Sequence, residues 1–117
     1  MSKRFVNYPK CSTCKRAEKF LKENNVEFVN RNIVEENPTA EELSLWMGKS
    51  GLEPRKFFNT SGVLYREMNL KDKIKTMSKE EMIEILSTNG MLVKRPLLVT
   101  EDIVLVGFKE ENYKEII

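Results

Sequence analysis

The 117-residue chain has no histidine and only two cysteines, Cys11 and Cys14. A tetrahedral zinc site draws on a full set of Cys, His or carboxylate ligands. Metal binding here would therefore need carboxylates or a second chain. No apolar run approaches the ~20 residues that cross a bilayer. The N-terminus, Met1-Ser2-Lys3-Arg4-Phe5, lacks the apolar core of a secretory signal. There is no long linker, internal repeat or Gly-rich phosphate loop, and no motif implies a metal or organic cofactor. Formal net charge is only +2, too little to argue for direct nucleic-acid binding. The expectation is a cytoplasmic protein with no membrane partner. Thiols are kept reduced in that compartment, so a close cysteine pair there is more often reactive than a structural staple.

What is present reads as an ordinary globular chain, 40% hydrophobic and 32% charged. Its length fits a single domain over residues 1–117. The chain is organised around Tyr8-Pro9-Lys10-Cys11-Ser12-Thr13-Cys14-Lys15-Arg16. This stretch follows a short apolar run, Phe5-Val6. It precedes Ala17, Phe20 and Leu21, which share one helical face. Cys11 is thus expected at a helix N-terminus, where unpaired N–H groups and partial positive charge favour a thiolate. Lys10, Lys15 and Arg16 add cations nearby. Cys14 lies one helical turn on, within reach of a disulfide or sulfenate on Cys11. Cys11 reads as nucleophile and Cys14 as resolving thiol. A buried structural pair is the alternative.

The remaining pattern predicts a strand over Lys3–Asn7, a helix from Ser12 to Asn24-Asn25, and a strand over Val26–Ile33 joined to the first in parallel. Thr39 and Glu42, then Ser78 and Glu81, have capping-box spacing. Each opens a helix, one with Leu43, Trp46 and Met47, the other with Met82, Ile83, Ile85 and Leu86. Gly48 and Gly51 bracket the end of the first of these helices. Pro54 starts a short helix carrying Phe57 and Phe58; Leu64–Leu70 is a weaker helical pattern. Residues of about 34–91 form a helical insertion. Leu97-Leu98-Val99 and Ile103–Val106 read as an antiparallel pair about Glu101-Asp102, and Gly107 as the opening of a last helix. The order β-α-β, helical insertion, β-β-α predicts an α/β, thioredoxin-like fold with a mixed four-stranded sheet. In such folds a proline that can be cis faces the cysteine motif. Pro96 is the candidate, and Arg95 would then aim its guanidinium at the thiol pocket.

These residues carry a resemblance. Tyr8-x-x-Cys11-x-Thr13-Cys14-Lys15-x-Ala17, the helical insertion and Leu92-x-x-Arg95-Pro96 resemble the arsenate reductase ArsC/Spx family, from about Arg4 to Phe108. The likeness is greatest to its small C-x-x-C branch in Gram-positive bacteria. It implies a thiol–disulfide oxidoreductase or thiol-based reductase in which Cys11, Cys14 and Arg95 do the chemistry. Ser12, Thr13 and Pro96 would contact substrate. A cellular thiol, glutathione or a thioredoxin- or glutaredoxin-type protein, would serve as reductant. The glutaredoxin-linked arsenate reductases of the family hold their oxyanion with three arginines. Only Arg95 matches; Asn59 stands near the second position, and Phe108, followed by Lys109, near the third. The Spx-type regulators keep C-x-x-C as a switch and bind the RNA polymerase α subunit, using a glycine near Gly51. Spx-type chains usually run on past the point matching Ile117. A monomer is expected.

Overall fold

The structure is a computed structural model that describes residues 3–117. Its elements are β1 (Arg4–Asn7), α1 (Ser12–Glu23), β2 (Val29–Asn32), α2 (Ala40–Ser50), α3 (Val63–Glu67), α4 (Leu70–Lys73), α5 (Lys79–Leu86), β3 (Leu97–Val99), β4 (Val104–Val106) and α6 (Glu110–Tyr113). Short 3-10 turns lie at Pro54–Phe57, Ile74–Thr76, Gly90–Leu92 and Lys114–Ile116. The four strands form one mixed sheet in the order β2-β1-β3-β4. β1 and β2 are parallel, and the β1–β3 and β3–β4 pairs are antiparallel. This is the expected thioredoxin-like plan, and α2 to α5 all fall between β2 and β3.

Side chains on a strand alternate between faces, and β1 uses both. Phe5 packs with Ala17, Leu21, Leu98 and Tyr113 on the α1/α6 side. Its neighbour Val6 packs with Ile33, Leu43, Trp46, Phe57 and Leu97 on the other side, under the insertion. β3 is buried along its whole length, which explains its unbroken apolar run.

Both capping boxes form, Thr39 with Glu42 and Ser78 with Glu81. Glu42 also takes two 2.7 Å hydrogen bonds from Arg31 while accepting the Thr39 N–H at 3.1 Å. Arg31 and Arg4 both lie over the Trp46 ring, at 5.6 and 6.0 Å from its centroid. The start of α2 is therefore tied to the edge strand β2 by a bidentate ion pair laid on an aromatic face.

Three local expectations change. The second strand is shorter than Val26–Ile33. Asn25 adopts a left-handed φ of 57°, the Val26 N–H bonds Leu21 O at 2.9 Å, and the Asn25 N–H bonds Lys22 O at 3.1 Å. That is a Schellman exit from α1. The alternation of Val26 and Phe28 belongs to this exit, where both pack on the Phe5 cluster. The Leu64–Leu70 stretch is a pair of short helices, divided by Asn69 at φ 54°. Gly107 does not open the last helix. It sits in a turn at φ 78° with its N–H on Pro96 O at 2.8 Å, and α6 begins at Glu110.

Two predictions follow from these contacts. The Arg31 hydrogen bonds hold the Glu42 carboxyl down at about 2, against an ordinary 4.5. The group is depressed on folding, so its stabilisation is full above pH 4.5 and is lost as pH falls through about 2. Glu42→Gln is expected to cost on the order of 2 kcal/mol at neutral pH. In urea titrations the gap from wild type should narrow steadily from pH 4.5 downward; a pH-independent gap would refute the ion-pair account. At Gly90, a Cβ would overlap the Ile33 carbonyl group. Gly90→Ala should therefore destabilise by about 3 kcal/mol or more, seen as a lower urea midpoint. A loss below about 1 kcal/mol would show that the backbone yields there.

Candidate active site

The topology brings three segments to one end of the sheet. β1 ends at Asn7 and leads into the cysteine loop. β3 runs antiparallel to it, with Leu97 opposite Val6, so Arg95 and Pro96 lie beside Tyr8. β4 is antiparallel to β3, with Val106 opposite Leu97, so Gly107 to Lys109 arrive at the same end.

Cys11 is the N-cap of α1, in extended conformation at φ −104°, ψ 116°. Its Sγ accepts the Cys14 N–H at 3.2 Å, taking the role usually given to a Ser, Thr, Asp or Asn oxygen. Burial opposes ionisation of Cys11. Hydrogen bonds from the Cys14 thiol and N–H, together with the hydrogen bond and charge of Arg95, outweigh it and hold the thiol below its ordinary value. Cys14 is 1% exposed. Burial, with the hydrogen bond to Cys11 and the charge there, pushes its thiol up to about 12. The two thiols are thus driven in opposite directions, and both are free.

The Arg95–Pro96 peptide is cis. The Arg95 guanidinium stacks on the Tyr8 ring at 5.1 Å from its centroid, and Nη1 lies 3.9 Å from the Met91 sulfur. Its Nε is buried with no hydrogen-bond acceptor among the described residues. Tyr8 and Met91 therefore support the arginine that faces Cys11.

In front of the thiol is an open cleft of about 690 Å³, lined by Cys11, Thr13, Asn59, Arg95 and the Val106–Lys109 turn among others. The structure brings Cys11, Cys14, Thr13 and Arg95 together. Ser12 is exposed and does not line the cleft, and Pro96 is buried behind it. Asn59 and Phe108 do line it, at the positions where the resemblance would have arginines.

Two features escaped the sequence reading. Lys94 lines the cleft, and its signal was only its place before Arg95-Pro96. Tyr113 is fully buried and donates its hydroxyl to the Gly107 carbonyl at 3.1 Å. It packs edge-on to Phe108, with ring centroids 4.9 Å apart. Tyr113 thereby pins the turn that forms one wall of the cleft.

A strand–Cys-x-x-Cys–helix unit beside a proline-led antiparallel strand defines a thioredoxin-like protein. Residues 6–116 match the ArsC family, and the chain belongs to that family. It is 50% identical over 115 residues to the uncharacterized protein YusI of Bacillus subtilis, covering 98% of each chain. It is 29% identical to the regulatory protein MgsR of the same organism, covering 89% of this chain and 81% of MgsR. Among solved structures, an ArsC family related protein from Bacteroides fragilis superposes with a TM-score of 0.98 at 56% identity, covering 100% of this chain and 98% of that one. A possible arsenate reductase from Streptococcus mutans UA159 gives 0.88 at 41% identity, covering 96% and 97%.

The opposed thiols are open to a direct test. In the reduced protein, iodoacetamide should modify Cys11 first, with a pH midpoint below that of a free thiol, while Cys14 stays protected. Cys14→Ala removes a thiol donor and Arg95→Gln a charge, so each should move the Cys11 midpoint upward. Unchanged midpoints in both variants would show that neither group tunes Cys11.

Proposed function

We propose that this ArsC-family chain is a cytoplasmic thiol–disulfide oxidoreductase that uses Cys11 as nucleophile and Cys14 as resolving thiol. The observation that carries the reading is the division between the two sulfurs: one partly exposed and eased toward thiolate, the other buried with its proton held. In the first step the Cys11 thiolate attacks a substrate disulfide. A Cys11–substrate S–S bond forms and the other half leaves as a thiolate. Cys14 then loses its proton and attacks the Cys11 sulfur. The second substrate thiolate is released, and the protein is left with a Cys11–Cys14 disulfide. The substrate has gained two electrons and the protein has lost them. Glutathione or a thioredoxin- or glutaredoxin-type thiol would return them. Arg95 stabilises the Cys11 thiolate and the charge on the departing sulfur, and Pro96 shapes the wall behind it.

Efficient arsenate reduction has less support. A divalent oxyanion at a thiol calls for several charge-assisted donors, and Asn59 and Phe108 line the cleft where arginines would serve. A second reading, a redox-switched regulator that binds the RNA polymerase α subunit, is favoured by the similarity to MgsR. Gly51 lends it little, because its φ of 69° at the end of α2 is accounted for by a left-handed helix cap.

Trapping separates these readings. Exposure of the reduced chain to a small disulfide should give an intramolecular bridge in wild type, a stable mixed disulfide on Cys11 in Cys14→Ser, and no adduct at position 14 in Cys11→Ser, by intact mass. Catalytic turnover with glutathione present should follow wild type only. Bridging without turnover, joined to redox-dependent retention of the purified α subunit, would replace the enzyme with the regulator. Disulfide chemistry surviving intact in Cys11→Ser would overturn both.

A further inference from the structure

We propose that the cleft selects disulfides carrying carboxylates, with Arg16, Lys94 and Lys109 as its specificity-determining cations; this rests on the oxidoreductase reading above. The cleft is lined by Arg16, Lys94, Arg95 and Lys109, and by no Asp or Glu. The chain as a whole is nearly balanced, with 20 basic and 18 acidic residues, so the one-sided lining is a local property. Elsewhere cations find acids, as Arg4 and Arg31 do on Glu42 and Arg55 does on Glu53. None of the four cleft cations makes an ion pair among the described residues.

Their placement separates two roles. Arg95 is half-buried, stacked on Tyr8 and engaged with Cys11. Arg16, Lys94 and Lys109 are exposed and come from three different segments: α1, the turn before β3 and the turn after β4. They stand around the thiol and are not its direct partners. A lone tetrahedral oxyanion at Cys11 would leave most of this lining unused. The cleft, at about 690 Å³, lies within the roughly 300–1,000 Å³ of small-molecule sites. It also has an apolar side, with Val63, Leu64 and Met91. The matching ligand is extended, partly apolar, and anionic at more than one point. For a thiol nucleophile that means a disulfide with flanking carboxylates. A low-molecular-weight disulfide and an acidic protein segment share this chemistry.

The cations act before and during the first bond exchange. They raise the local concentration of an anionic disulfide. They also face the thiolate that leaves as the Cys11–substrate S–S bond forms. Exposed charges are screened by salt, so the preference should appear in the second-order rate constant and fade with ionic strength.

The test is single-turnover oxidation of the reduced full chain by dithiodipropionate (anionic), hydroxyethyl disulfide (neutral) and cystamine (cationic). Each rate is divided by that of a small free thiolate with the same disulfide. At low salt the normalised rates should fall in that order, with about tenfold or more between first and last. The spread should collapse near 1 M salt, where the Debye length is about 3 Å. It should also flatten in the Arg16→Gln/Lys94→Gln/Lys109→Gln variant, whose substitutions are all at exposed positions. Glutathione disulfide and a peptide disulfide flanked by aspartates then distinguish the two sources by which is faster. Equal normalised rates for the three disulfides, each still faster than with free thiolate, would overturn the charge selection and leave the oxidoreductase reading standing. A ranking that persists in the triple variant would overturn the assignment to these residues. No acceleration with any disulfide would remove both readings.

Discussion

The hydrogen bond from the Cys14 N–H to Cys11 Sγ joins the folding of α1 to the chemistry of the site. A helix must find acceptors for its first N–H groups. The chain solves this conventionally at α2 and α5, with a hydroxyl cap, a reciprocal glutamate and acidic residues in the first turn. At α1 it uses none of these. The cap is a sulfur, and the first turn carries no acid, although Lys15 and Arg16 follow at once. No carboxylate in that turn competes for the positive end of the helix, which leaves the Cys11 sulfur as the place where negative charge is favoured. A polar cap of equal geometry would hold the helix as well. The nucleophilic role proposed for Cys11 would account for a sulfur there.

The sheet then determines what surrounds that sulfur. Because β3 runs antiparallel to β1 and β4 antiparallel to β3, the segments just before β3 and just after β4 are delivered to the end where β1 releases the cysteine loop. Arg95 reaches Cys11 from 84 residues away by this pairing. The long insertion between β2 and β3 supplies another wall of the cleft through Asn59, the Ser61 to Leu64 segment and Met91. It is anchored beside the sheet by the Arg31–Glu42 pair and by the close approach of Gly90 to the Ile33 backbone. Stability and site geometry therefore share the same contacts.

Much of this was legible in the chain because local rules suffice for it. The cysteine motif between an apolar run and a helical face, the two capping boxes and the Arg95-Pro96 step each carry their own signal. The misreadings share a physical origin. Val26 and Phe28 alternate like a strand, but the Val26 N–H is spent on closing α1 and pairing with β1 begins only at Val29. Asn69 breaks a helical pattern by adopting left-handed φ, which asparagine does without announcing it. Gly107 looks like a helix start, yet a long-range bond to Pro96 O keeps it in a turn. Lys94 and Tyr113 have site roles only after the sheet has been folded, so no short window of sequence could have assigned them. Ser12 shows the converse: it lies inside the motif, but the turn of the helix points it away from the cleft.

Under the proposed reaction the opposed thiols would also order the two steps in time. Cys14 is held protonated by burial, by its hydrogen bond to Cys11 and by the charge on Cys11. Neither histidine nor a cleft carboxylate stands by to take its proton. While Cys11 carries charge, the Cys14 thiol is therefore held toward its protonated form. Once Cys11 enters a mixed disulfide, its charge and its acceptor role disappear together. Two of the influences that raise the Cys14 thiol are then gone, while Arg95 continues to favour ionisation. In the proposed mechanism Cys14 would thus be eased toward ionisation, against its burial, by the bond it must break, and the departing substrate thiolate would take its proton. Such timing would need no side-chain base, and it would follow from placing both sulfurs within one helical turn, the outer one as the cap.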